Sequence, residues 1–205
     1  MSGTAARLIV YSDYLCPWCF NAAVRLRAIE EEFGAGVEIS WRSFLLRPTP
    51  EPRSLEQFRA YTRSWLRPAA DADAGSFRVW STDEGPPSHS LPPQLVAKAA
   101  ATLGREAFAG MHAALWRAYF TDNRDVTSRA TLRALWDEVG LPAEAFARAE
   151  GDDVVRAVLA EHNEAVRAGV TGVPTVRADG QDVAIPGALP LETYRRWVRR
   201  LRGTD

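Results

Sequence analysis

The cysteines of this chain form one closely spaced pair. Cys16 and Cys19 enclose Pro17 and Trp18, and the 205 residues contain no other cysteine. Two thiols at this spacing can close into a disulfide and reopen, and they can also supply half of a four-ligand zinc site. The pair therefore predicts redox chemistry or metal binding, and two cysteines brought together by chance in a core are the third interpretation.

A metal site would need ligands from elsewhere in the chain. Zinc takes about four ligands, and the three histidines, His89, His112 and His162, are the residues that could join the cysteines. His162 continues an apolar helical stripe and His112 lies beside one, which is typical of histidines packed in a core. We therefore expect no metal site, and thiol–disulfide exchange becomes the favoured interpretation.

The segments that flank the cysteine pair predict its place in the fold. Residues 7–12 are a short β-rich run, and residues 22–33 have a helical pattern that ends at glycine. Cys16 then falls at the N-cap or in the first turn, with Pro17 at the first helical position, where its missing N–H costs nothing. The free amides of that turn and the helix dipole favour the Cys16 thiolate. These features predict Cys16 as the exposed nucleophile and Cys19, one turn deeper, as the resolving thiol.

The rest of the first quarter extends this pattern, and the middle of the chain departs from it. Residues 37–46 alternate and are rich in β-branched and aromatic side chains, so they predict a second strand and a βαβ opening. From residue 47 to about 169 the periodicity is almost only helical, and Val155, Val158, Leu159 and Val166 mark one predicted apolar stripe. Within that range, residues 67–93 are loop-like in composition, and we expect the stretch from about residue 68 to 93 to border the substrate groove and to set substrate choice.

The β signals resume near the end of the chain. The runs 173–178 and 181–186 flank an Asp-Gly pair, which predicts a hairpin, and an amphipathic helix follows. The two ends therefore predict one split α/β domain, residues 1–46 together with 170–205. The helical segment 47–169 is predicted to be an insertion domain.

The composition limits the classes of function. The chain is 46% hydrophobic and 25% charged with a formal net charge of -1, which gives no general attraction to nucleic acid or to an anionic membrane. The apolar run at residues 8–11 is too short for a secretory signal, and no run approaches the roughly 18 residues of a membrane span. We expect a cytoplasmic protein without nucleic-acid or membrane partners. In a reducing cytosol a Cys-x-x-Cys pair is seldom a structural disulfide.

Four segments, spread from the first strand to the last helix, carry a family resemblance. The chain resembles the DsbA-like branch of thioredoxin-fold proteins, particularly the FrnE-like cytoplasmic oxidoreductases, at residues 11–19, 115–126, 168–176 and 185–194. The resemblance implies a thioredoxin fold, βαβ followed by ββα, with a large all-helical insertion. In such proteins the proline before the third strand is cis and lies beside the nucleophilic cysteine.

The resemblance also implies roles for individual residues. It makes Cys16 and Cys19 the catalytic pair. It implies that Pro174 is the cis-proline and that Val173 offers backbone groups to an extended substrate. Together with Pro17 and Trp18 of the motif, these are the substrate-binding residues that we expect, and we expect no metal-ligating residue.

The implied function is a thiol–disulfide oxidoreductase that acts on protein or small-molecule thiols and disulfides. It requires no bound cofactor, although glutathione could serve as a co-substrate, and the protein could be a monomer or a homodimer. Kappa-class glutathione transferases and 2-hydroxychromene-2-carboxylate isomerases resemble the same architecture, but they typically have serine where Cys16 stands. A thiol-based metal carrier or a redox chaperone is the alternative from another class.

Overall fold

In the sheet of this protein, the first strand lies between a strand from the N-terminal part of the chain and a strand from the C-terminal part. The computed structural model describes residues 5–181 and 184–203. The strand order is β2-β1-β3-β4. β1 is parallel to β2 and antiparallel to β3, and β3 is antiparallel to β4. The strands are β1 Ala6–Ser12, β2 Val37–Ser43, β3 Thr175–Ala178 and β4 Ala184–Pro186.

The first helix follows β1 after a short turn. α1 spans Pro17–Phe33, so it begins five residues before the helix predicted from periodicity. Its N-cap is Cys16, and it ends at Gly34, whose φ of +50° lies in the left-handed region that favours glycine. The early start places Cys16 at the N-cap and Cys19 in the first turn of a long helix.

Helices cover both faces of the sheet. On one face, α1 and the last helix α8, Leu191–Arg202, bury a shared core: Leu8, Val10, Leu26, Ile29, Tyr194 and Val198. On the other face, Ala165 of α7 (Asp152–Arg167) packs in a cluster with Tyr11 and Phe44. The boundary predicted from the sequence assigns α7 to the insertion domain. The boundaries at residues 47 and 169 stay predictions.

The segment between β2 and β3 is helical, as the sequence predicts. Its other helices are α2 Leu55–Thr62, α3 Leu66–Ala69, α4 Leu91–Ala101, α5 Arg105–Phe120 and α6 Arg129–Glu138. Aromatic rings from several of these elements pack together in its core: Phe58, Trp65, Trp80, Tyr119 and Phe120. None of the helices in the described residues is long and apolar enough to span a membrane.

The stripe predicted for α7 is partly wrong. Val158 is buried as expected, but Leu159 and Val166 are 39% and 53% exposed. The buried face instead contains Val154 and Ala165. The helix is rotated relative to the prediction because a buried polar residue on its inner face hid the true periodicity.

The C-terminal hairpin is present, with a shorter second strand than predicted. Arg177 lies opposite Ala184 and Val176 opposite Ile185. Gly180 in the turn has a φ of +74°, which explains the glycine. Residues 182 and 183, part of the predicted run 181–186, lie outside the described residues.

Residues 70–90 form an irregular connector, as their composition predicts. The connector is fixed to the helices by buried contacts: Trp80 is 2% exposed, and its N–H donates to Thr62 Oγ1 at 3.1 Å. The Arg78 N–H donates to the Phe120 carbonyl at 2.8 Å. The hypothesis that this segment selects substrates stays a prediction.

Candidate active site

Cys16 caps the helix that carries both thiols. Its backbone is extended, with φ -96° and ψ 116°, and Pro17 occupies the first turn, as the sequence predicts. The Cys19 N–H donates to Cys16 Sγ at 3.4 Å. The Cys16 N–H in turn donates to the Asp13 carbonyl at 3.0 Å, which closes the turn after β1. A thiolate at Cys16 would therefore receive a backbone donor and the positive end of the helix dipole.

The segment before β3 lies against the same sulfur. The Cys16 thiol donates to the Val173 carbonyl at 3.3 Å, across 157 residues of sequence. The Val173–Pro174 peptide bond is cis, which is the geometry implied by the family resemblance. The structure thus brings Val173 and Pro174 to the cysteine motif and places a backbone acceptor beside the reacting atom.

The exposure of the motif differs from the prediction. Cys16 is only 5% exposed and Cys19 is fully buried, so the expected exposed nucleophile is wrong in this respect. The Val173 segment accounts for part of this burial because it packs directly against the Cys16 sulfur. Trp18 is 38% exposed, and Pro17 is half-buried at the rim. The two cysteines are free thiols in this structure, and Cys16 is the more accessible of them.

The buried thiol has a polar neighbour that the sequence did not suggest. Burial raises the pKa of Cys19 well above its usual range, the hydrogen bond with Cys16 raises it further, and the Ser12 hydroxyl lowers it. Among the residues that the structure describes, Ser12 Oγ has no hydrogen-bond partner although it is buried. The hydroxyl at the end of β1 is therefore free to donate to Cys19 when that sulfur becomes a thiolate.

The Asp13 carboxylate binds backbone amides on both sides of the motif. It is fully buried, and its two carboxyl oxygens accept the Leu15 N–H at 2.8 Å and the Leu46 N–H at 2.7 Å. Burial raises the pKa of this carboxyl, against the hydrogen bonds from Ser90 and the two amides. Asp13 thereby ties the turn before Cys16 to the segment that follows β2.

A half-buried histidine lies behind the motif. Trp116 Nε1 donates to His112 Nε2 at 3.2 Å, and Tyr14 Oη lies 2.7 Å from His112 Nδ1. Because an indole N–H can only donate, Nε2 is unprotonated and the neutral ring carries its proton on Nδ1. Burial lowers the pKa of His112 to about 3. His112 is therefore a neutral residue packed among aromatic side chains.

The other histidine near the sheet also packs. His162 Nδ1 accepts the Leu45 N–H at 3.2 Å, and its ring lies against Phe44 with centroids 5.0 Å apart. Within residues 5–181 and 184–203, no group of three or more His, Cys, Asp or Glu is arranged to hold a metal ion.

Exposed apolar side chains lie near the cysteine motif. Besides Trp18, Leu46 is 45% exposed and Tyr61 is 43% exposed. Leu46 is bonded through its N–H to Asp13, and the charge of Cys16 adds to the burial that raises the pKa of Tyr61. Leu46 and Tyr61 were missed by the sequence analysis, since no local pattern marks an apolar residue as exposed.

Arg25 fixes the catalytic helix to distant parts of the chain. Its side chain is 3% exposed and donates to Asp71 at 2.7 Å and to Asp73 at 2.9 Å through Nε. It also donates to the carbonyls of Ala188 and Leu189, each at 3.1 Å. One buried guanidinium thus joins α1 to the irregular connector and to the segment after β4.

Comparison with known proteins identifies the family of this site. The model of the DSBA-like thioredoxin domain matches residues 7–198. The chain belongs to the DSBA-like thioredoxin domain family. The uncharacterised protein YwbO from Bacillus subtilis is 30% identical, in an alignment that covers 92% of this chain and 94% of YwbO.

Two solved structures extend the comparison of this DSBA-like chain. A probable DsbA oxidoreductase from Streptomyces coelicolor is 26% identical with a TM-score of 0.75, over 98% of this chain and 91% of that one. The cytosolic disulfide reductase DsbM from Pseudomonas aeruginosa is 24% identical with a TM-score of 0.72, over 96% and 95% of the two chains. DsbM has also been solved with glutathione. The thioredoxin fold with a helical insertion, predicted from the sequence, is confirmed.

Proposed function

We propose that this protein is a cytoplasmic thiol–disulfide oxidoreductase of the FrnE-like type, with Cys16 as nucleophile and Cys19 as resolving thiol. The observation that carries the proposal is the environment of Cys16 Sγ. It caps α1, receives the Cys19 N–H at 3.4 Å and lies 3.3 Å from the Val173 carbonyl. The reacting sulfur therefore lies at a helix N-terminus, between a backbone donor and a backbone acceptor.

The exchange has two steps in the reducing direction. The Cys16 thiolate attacks one sulfur of a substrate disulfide, a Cys16–substrate disulfide forms, and the other substrate sulfur leaves as a thiolate that takes a proton. The Cys19 thiolate then attacks Cys16 Sγ, and the second substrate sulfur leaves. The substrate gains two electrons and the protein ends with a Cys16–Cys19 disulfide. The oxidising direction is the reverse of these steps.

The Val173–Pro174 segment positions the substrate in this proposal. Because its carbonyl already faces Cys16 Sγ, an extended substrate backbone can lie beside it and present a sulfur to the nucleophile. Proline at position 174 contributes no N–H, so the segment offers no competing donor at that residue. Pro17 and Trp18 form the adjacent rim, and the 38% exposed indole supplies an apolar contact.

Glutathione is the small-molecule thiol that we propose as electron donor. The proposal is supported by the similarity to DsbM, a cytosolic disulfide reductase solved with glutathione. A Cys19→Ser variant would retain a glutathione–Cys16 disulfide, which intact-mass measurement detects. A cytoplasmic location would be tested by cell fractionation with antibody detection.

The reduction potential of the cysteine pair is the deciding measurement. The purified protein is equilibrated in glutathione buffers and its free thiols are counted. We expect a reversible two-electron transition between roughly -120 and -270 mV, the span of known dithiol catalysts. Thiols that stay free across the whole series would contradict the proposal.

Two single variants complete the test. Cys19→Ser should trap the mixed disulfide and lose turnover. Cys16→Ser should form no mixed disulfide and should also lose turnover. A Cys16→Ser protein that keeps a glutathione-dependent isomerase or transferase activity would instead favour that alternative, because such an enzyme can work with serine at this position and needs no second thiol.

A further inference from the structure

A large cleft lies between α1 and α5, and neither cysteine lines it. Its volume is about 810 Å³, within the range of small-molecule sites. We call it the α1–α5 cleft. Its apolar part is formed by Phe20 and Val24 of α1, Ile39 and Trp41 of β2, and Phe108 and Trp116 of α5. The catalytic exchange proposed above makes no use of this space.

Aromatic rings dominate the cleft. Phe20 and Trp116 are nearly parallel, with centroids 5.7 Å apart and an interplanar angle of 13°. Trp41 and Phe108 both pack against His112, at 4.5 and 5.1 Å between centroids. The imidazole is neutral because burial lowers its pKa to about 3. The surroundings therefore suit a flat apolar body and place no histidine charge beside it.

The charges at the mouth of the cleft differ in depth. Glu30 lies inside, with 29% of its side chain exposed, and its ion-pair partner Arg105 is 74% exposed at a distance of 2.9 Å. Burial raises the pKa of Glu30 despite this arginine. The other rim charges are also paired: Arg27 lies 2.9 Å from Glu31, and Glu138 lies 3.4 Å from Arg117 and 2.8 Å from Arg124.

Glu30 is the less exposed member of this pair and is held on the cleft wall, whereas the largely exposed Arg105 is replaceable. An ion pair with one largely hydrated member contributes little stability. A cation that enters the cleft can take the place of Arg105 while its rings cover apolar wall. Nearby indole rings add an attraction of their own for a cation.

We propose that the α1–α5 cleft binds an aromatic monocation, with its rings against the aromatic wall and its positive charge at Glu30. The class includes protonated amino-substituted heteroaromatic rings. This site is independent of the thiol chemistry, since neither Cys16 nor Cys19 lines it.

Fluorescence titration with three dyes of one shape tests the charge preference. The probes are 9-aminoacridine as cation, acridine at alkaline pH as neutral ring, and acridine-9-carboxylate as anion. We expect one-to-one binding in which the cation binds at least about fivefold more tightly than the anion, from a partly buried charge contact and cation–π attraction. Equal affinities for the three dyes would overturn the assignment.

Two variants at the mouth should move the affinity in opposite directions. Glu30→Gln should weaken binding of the cation by about fivefold and leave the neutral ring unchanged, and Arg105→Ala should strengthen cation binding by about threefold because the competing cation is gone. Loss of affinity in both variants would indicate general damage to the cleft and would contradict the proposed role of Glu30.

Filling the cleft provides the matched control. Ala113 lines it and is exposed on α5, so Ala113→Trp should abolish binding of all three dyes. Ala160→Trp, at an exposed position within α7, should have no effect. Dye binding that persists in Ala113→Trp would refute the site. The site would also be refuted if the unmodified chain bound no dye and instead formed a dimer that this substitution disrupts. A Cys16→Ser, Cys19→Ser protein should bind normally, which separates this proposal from the redox proposal.

Discussion

Replacing Ser12 by alanine tests how the buried resolving thiol loses its proton. Burial raises the pKa of Cys19, so its thiolate fraction is small at neutral pH and grows as the pH rises. The Ser12 hydroxyl lowers this pKa and has no other hydrogen-bond partner in the described chain. Ser12→Ala should therefore raise the pKa of Cys19 and slow the resolving step at neutral pH.

The size of the effect follows from one lost hydrogen bond. Bonds to charged groups contribute about 1.5–3 kcal/mol, and the lower value, about 1.5, suits a weak sulfur acceptor. This corresponds to about one pKa unit and a thiolate fraction about tenfold smaller. The more basic thiolate is about threefold more nucleophilic, since the Brønsted coefficient is about 0.4–0.5. Together these two effects make the step about three- to fourfold slower.

Rapid mixing with dithiobis-nitrobenzoate measures the two steps separately. Attack by Cys16 releases the first coloured thiol, and attack by Cys19 on the mixed disulfide releases the second. In Ser12→Ala the first phase should be unchanged, and the pH midpoint of the second should rise by about one unit. Ser43→Ala is the matched control because Ser43, 3% exposed, lies opposite Ser12 on β2. If the second phase of Ser12→Ala had the same rate and pH midpoint as that of the unmodified protein, the proposed role of Ser12 would be refuted.

Three further predictions concern stability and substrate binding. Arg25→Met should lower the free energy of unfolding, measured in urea, by about 2–4 kcal/mol, because the carbonyls of Ala188 and Leu189 lose a buried donor while the half-exposed aspartates rehydrate. Arg25→Lys should lower it less. A decrease under about 1 kcal/mol in Arg25→Met would contradict this. The pKa of His112 is about 3 in the folded protein, so on acidification the unfolded state takes up a proton on this ring before the folded state does. The free energy of unfolding should therefore fall as the pH drops from about 6.5 towards 3. An imidazolium signal from His112 in NMR spectra at pH 5 would disprove this. Tyr61→Ser should raise KM for a protein disulfide about three- to tenfold through the lost aromatic contact, with an unchanged reduction potential; an unchanged KM would remove Tyr61 from the substrate surface.

Local chemistry made the cysteine motif predictable. Pro17 suits the first turn of a helix and Gly34 the left-handed end of one, so the sequence indicates α1 and the capping position of Cys16 without tertiary information. The turn at Gly180 and the last helix follow from equally local patterns. The contact of Cys16 with Val173 came from family resemblance, since no local rule connects residues 157 positions apart.

The remaining features depend on packing between distant segments. The face of α7 was predicted wrongly because Glu161, only 8% exposed, lies on its buried side. This glutamate accepts hydrogen bonds from Lys98 at 2.6 Å, Arg42 at 3.1 Å and the Ser43 N–H at 2.9 Å, which compensate its burial. Hydrophobic periodicity cannot identify a charge whose partners lie on other elements. The free hydroxyl of Ser12 is hidden from the sequence for the same reason.

The position of β1 has a consequence for synthesis of the chain. β1 is complete at Ser12, but its antiparallel neighbour begins at Thr175, 163 positions later. At about 5–20 residues per second, the ribosome needs roughly 8–30 s to supply that strand. During this interval one edge of β1 cannot make its native pairing, and Cys16 lacks the Val173 carbonyl that will lie against it. The nascent chain therefore carries both thiols throughout this interval without the segment that later shields them.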